Sequence, residues 1–90
     1  MNKESLQSVR DVFKRIYSEE NREKYRAICT NPQDEDERMV WALCKKFWHP
    51  QYSKRTTNFE KFEPNPNLDD ATARKSIEKL TRLLDKLGWK

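Results

Sequence analysis

Hydrophobic positions along this chain fall into three stripes with helical spacing, separated by polar segments. The first stripe is Leu6, Val9, Val12, Phe13, Ile16 and Tyr17, at i, i+3, i+6, i+7, i+10 and i+11. At 100° per residue these side chains share one face, which predicts a helix over residues 5 to 17 with Ser5 as its N-cap. Tyr25 and Ile28 lie close to the same stripe. The helix therefore either continues to about Cys29 or bends and breaks at Ser18-Glu19-Glu20-Asn21. Asn31-Pro32 ends it in both cases, because the residue before a proline is pushed out of the helical region.

A second helix opens with Asp34-Glu35-Asp36-Glu37, whose charge complements the positive end of a helix dipole. Val40, Leu43, Cys44 and Phe47 form its core stripe, and Trp41 and Trp48 form a neighbouring one. Pro50 stops it near His49. The last helix starts at Asn67 or Asp69 and buries Ala73, Ile77, Leu80, Leu84 and Leu87. Gly88 stands where a left-handed residue ends a helix, so a Schellman turn should pack Trp89 on Leu84. Residues 50 to 67 contain Pro50, Pro64 and Pro66, yet Tyr52, Phe59 and Phe62 call for burial. A bare loop of that length is uncommon, so a short helical turn is expected over Thr57 to Phe62. The expected fold is all-α: one domain spanning residues 1–90, a small bundle of three main helices plus one short helix.

Composition narrows the function. Charged residues make up 38% of the chain and hydrophobic ones 34%. The ordinary charged share is about 25%, so the core must be lean. Disorder is not expected, because 19 basic and 15 acidic residues nearly cancel and ten aromatic rings provide buried area. The net charge of +4 favours acidic partners, nucleic acid first among them. Cys29 and Cys44 are too few for a secreted disulfide framework, and no signal peptide or membrane-length apolar run is visible. The chain therefore reads as intracellular and cytoplasmic, without membrane attachment.

Two basic features stand out. Between Glu37 and Glu60 there is no carboxylate, while Lys45, Lys46, Lys54 and Arg55 are interleaved with Trp41, Phe47, Trp48, Tyr52 and Phe59. Cations that neutralise phosphates beside rings that stack on bases are the ingredients of single-strand binding. On the last helix, Lys75, Lys79, Arg82 and Lys86 form a stripe at i, i+4, i+7 and i+11, with Arg74 beside it. The order of Arg38–Trp48, Thr57–Phe62 and Asp70–Leu87 resembles a helix-turn-helix, which implies that Arg74 and Lys75 reach base edges. The stretch Glu63-Pro64-Asn65-Pro66-Asn67 is longer than the usual turn of that motif.

Catalysis and metal binding find little support. His49 is the sole histidine, and Cys29, Cys44 and His49 lack the close pairing of structural zinc ligands. Both cysteines read as small buried hydrophobes. The single glycine leaves no room for a glycine-rich phosphate loop. The leading expectation is a non-catalytic regulatory protein, without cofactor or metal, that binds DNA or RNA through Lys45, Lys46, Lys54, Arg55, Arg74, Lys75, Lys79 and Arg82. The alternative is a modulator or inhibitor that docks on a larger protein assembly through Trp41, Trp48 and Tyr52, residue types common in interface hot spots. A homodimer is compatible with either.

Overall fold

The computed structural model describes residues 2–47 and 68–90. They form four helices: α1 (Lys3–Ile16), α2 (Arg22–Thr30), α3 (Glu35–Phe47) and α4 (Asp70–Lys86). No strand occurs among the described residues. The expected short helix at Thr57–Phe62, and with it the turn of the helix-turn-helix order, lies outside the described residues.

α1 begins three residues before the expected cap. Asn2 has an extended backbone, and its side-chain carbonyl accepts the Ser5 amide at 2.8 Å. This satisfies one of the donors that every helix start leaves open. Ser5 is therefore inside the first turn, buried, and its hydroxyl donates to Asp70 Oδ1 at 2.5 Å. Val9, Phe13 and Ile16 are buried, while Val12 and Tyr17 pack at the edge of the core.

Between α1 and α2 the chain takes the broken alternative. Asn21 is fully buried, and its Nδ2 donates to the Arg15 carbonyl at 3.0 Å, covering the end of α1. The amides of Asn21 and Arg22 both donate to the Ser18 carbonyl, which turns the chain into α2. The turn sets Tyr25 edge-on against Tyr17, ring centroids 5.4 Å apart, and buries Ile28. Cys29, on the same helix, is exposed rather than buried; only Cys44 belongs to the core.

The carboxylates before α3 do define its start. Asp34 Oδ1 accepts the Glu37 amide at 2.9 Å, and Glu37 Oε1 accepts the Gln33 amide at 3.1 Å, a reciprocal arrangement close to a capping box. Val40, Leu43, Cys44 and Phe47 are buried as their spacing requires. Phe47 meets Phe13 edge to face at 6.1 Å.

α4 is the longest helix and joins the others. Asp69 caps it by accepting the Thr72 amide at 3.3 Å. Its buried line is Ala73, Ser76, Leu80 and Leu84; Ile77 and Leu87 flank that line instead of centring it, and Ser76 takes a place no hydrophobic pattern marks. At its end Gly88 has φ +77°, its amide bonds to the Asp85 carbonyl, and the Trp89 amide bonds to the Leu84 carbonyl. That is the Schellman pairing, and it buries Trp89 in the same core cluster as Leu84.

Polar ties fix the helix directions. Asp70, at the start of α4, holds the Asn2 amide and the Ser5 hydroxyl. Arg15, near the end of α1, binds Asp85 at 2.7 Å and the Trp89 carbonyl. α1 and α4 therefore run parallel. Asp36 and Lys86, 2.8 Å apart, pin the start of α3 to the end of α4.

Candidate nucleic-acid interface

The packing of α4 decides which of its cations face outward together. At 100° per residue, Lys75, Lys79, Arg82 and Lys86 lie within an arc of about 60°. The Lys86–Asp36 pair shows that this arc is the flank beside α3. Lys75, Lys79 and Arg82 are exposed, and no carboxylate among the described residues pairs with them. The hydrogen bond from Lys86 to Asp36 raises the lysine's pKa, so Lys86 keeps its charge.

Arg74 stands on the opposite flank. It binds Asp70 at 3.1 Å, approaches Glu4 of α1 at 3.7 Å and donates to the Ser5 hydroxyl at 3.2 Å. Glu78 shares that side: it lines, with Glu4, Ser5, Ser8 and Arg74, a hollow of about 290 Å³ between α1 and α4. The acid that sequence spacing places between the cations of α4 therefore stands apart from the basic stripe. The Ser5 hydroxyl bond lowers the pKa of Asp70, and the Thr72 bonds lower that of Asp69, so the start of α4 stays negative.

α3 divides its own pair of lysines. Lys46 projects on the flank that carries Asp36, toward the α4 stripe, whereas Lys45 projects on the other. Lys45 Nζ sits 4.1 Å from the centroid of the Trp41 ring, a cation–π contact that covers one ring face. Trp41 is half-buried against the core, so it offers less open ring than an interface anchor needs. Lys54, Arg55, Trp48, Tyr52 and His49 lie outside the described residues. Of the eight basic residues singled out in the sequence, the fold thus groups Lys46, Lys75, Lys79 and Arg82 on one side and sends Lys45 and Arg74 elsewhere.

A second concavity, of about 730 Å³, was not legible in the sequence. Ile28, Leu87 and Trp89 form its floor, and Glu23, Arg26 and Glu37 are among its rim residues. It is assembled from α2, α3 and the end of α4, so no single stretch of chain carries its pattern. Its rim mixes both signs of charge and selects no ligand.

Among the described residues no three His, Cys, Asp or Glu side chains are grouped to hold a metal ion, and no helix is long and apolar enough to cross a membrane. No protein-family model, curated protein or solved structure matches this chain.

Proposed function

We propose that this protein is a non-catalytic nucleic-acid-binding protein that engages phosphates through the α4 flank of Lys75, Lys79, Arg82 and Lys86, with Lys46 beside it. The observation that supports this reading is the unpaired stripe. Three cations of one straight helix point the same way with no carboxylate partner among the described residues, while the neighbouring Arg74 is tied into the bundle. A surface lysine that serves solubility needs no such alignment. A phosphate chain rewards it, because each contact releases condensed counterions. A regulatory role follows the same logic: a small domain that covers nucleic acid acts by occupying it.

Fluorescence anisotropy with labelled duplex and single-stranded oligonucleotides at two salt concentrations tests the proposal. Affinity should fall steeply with salt. Lys75→Gln with Lys79→Gln should lower the slope of log affinity against log salt by roughly 1.4 to 1.8, at about 0.7–0.9 per lost contact. Lys24→Gln on α2, away from the stripe, should leave it unchanged. Absence of binding at low salt overturns the proposal.

A further inference from the structure

We infer that the ligand of this flank is a double-stranded nucleic acid, held by its backbone without regard to sequence, with α4 lying along the phosphates instead of entering a groove end-on. The inference rests on the reading above and goes beyond it by naming the ligand class. Three features of the structure lead to it.

The cations stand on a rigid scaffold. From Lys75 to Lys86 the stripe spans about 16 Å at 1.5 Å per residue, on a helix buried along its opposite face by Ala73, Ser76, Leu80 and Leu84. A fixed, straight line of charge matches a backbone that is itself stiff and regular. A single strand presents no such line until it is ordered, and ordering it is normally repaid by stacking bases on aromatic rings.

Stacking is what this flank lacks. Phe13, Phe47 and Trp89 are buried. Tyr17 and Tyr25 pack on each other inside the bundle. Trp41 lies on the other flank of α3 under Lys45. Among the described residues, no ring with an open face stands beside Lys75, Lys79 or Arg82.

Base reading also lacks its usual parts. A recognition helix reaches base edges with residues of its first turns. Here Asp69 and Asp70 occupy the start of α4, where their carboxylates repel phosphates on approach. Arg74, the first long donor of the helix, is held by Asp70, Glu4 and Ser5. The remaining cations, Lys75, Lys79 and Arg82, lie along the side of the helix, where they meet phosphates, and phosphate contacts position a protein without reading sequence.

Equilibrium competition against one labelled duplex tests this. The competitors are unrelated DNA duplexes of about 20 base pairs, an RNA duplex, and oligothymidine and mixed-sequence single strands of equal length, all at low salt. Duplexes of different sequence should differ by less than about fivefold, the effect of the weakest base-reading contact. At least one duplex type should bind at least about fivefold tighter than either single strand, the worth of one missing base stack. Strong binding to the DNA or the RNA duplex alone still upholds the inference and names its source. Lys75→Gln with Lys79→Gln, both exposed positions, should weaken every duplex by the same factor with circular dichroism unchanged. Tighter binding to single strands overturns the inference while leaving nucleic-acid binding intact. So does a sequence preference above about tenfold that Arg74→Gln or Lys75→Gln relaxes. Binding to none of the competitors removes the parent proposal as well.

Discussion

Phe13 shows how one side chain couples two helices. It is 1% exposed, stacks near Tyr17 at 6.2 Å and meets Phe47 of α3 edge to face. Truncating such a residue removes buried area and leaves a cavity, so Phe13→Ala should cost about 3–5 kcal/mol in urea unfolding. A loss below about 1 kcal/mol would show that the α1–α3 contact is peripheral. The two cysteines differ for the same reason of burial. Cys29 is exposed, whereas burial pushes the Cys44 thiol up to about 12. A thiolate is the reactive form, so a maleimide reagent should label Cys29 promptly and Cys44 only on unfolding. Mass mapping of the labelled chain reads this directly, and equal rates at both sites would contradict the packing of Cys44. The sequence marked both as buried hydrophobes. Cys44 sits on the apolar line of α3, but Cys29 is one position past Ile28 and turns to solvent once α2 is a separate helix.

At the scale of elements, ends were harder to read than faces. The faces of α1 and α3 follow from periodicity alone, because an apolar stripe has one way to leave water. Caps depend on single side chains: Asn2 and Ser5 are both good N-caps, and only the Ser5–Asp70 contact from the far end of the chain assigns Ser5 an interior place. The end of α4 was legible, since a lone glycine after an apolar helix has few other uses. Gly88 holds φ +77°, and a Cβ there would touch nothing within 4 Å. Gly88→Ala should therefore cost about 1–2 kcal/mol through left-handed strain alone. Thermal unfolding measures it; an unchanged midpoint would mean that the Schellman turn contributes little to holding Trp89.

For the whole molecule, ionisation limits stability at both extremes of pH. Hydrogen bonds from Thr72 and Ser5 hold Asp69 and Asp70 below the model value of 3.8. A carboxyl depressed in the folded state adds stability that is present above its unfolded pKa and lost as pH falls through the folded value. On the alkaline side, burial raises Cys44 above its model value of 9.0 to about 12, and burial likewise raises Tyr25 and Tyr17. These groups stay protonated in the fold while the unfolded chain ionises, so stability is full below about 9 and falls as pH rises toward 12. Urea midpoints should be flat between about pH 5 and 8 and decline on either side. A midpoint still rising at pH 10 would contradict the burial of Cys44 and Tyr25. Asp70→Asn should remove part of the acid-side decline, a change that reads the α1–α4 tie separately from the core.

What the sequence determined by itself was local. Periodicity named the apolar faces, Asp34 to Glu37 marked a helix start, and Gly88-Trp89 marked an end, because each needs only neighbours within one or two turns. Tertiary structure decided whatever depends on two distant segments. The break at Asn21 required burial of that side chain beneath the Arg15 carbonyl. The separation of Arg74 from Lys75, adjacent in sequence, required Glu4 on one flank of α4 and Asp36 on the other. Charge counted along a chain does not show which cations are already paired, since a partner 70 residues away leaves no periodic trace. Packing α4 between α1 and α3 turned a diffuse basic excess into one aligned stripe.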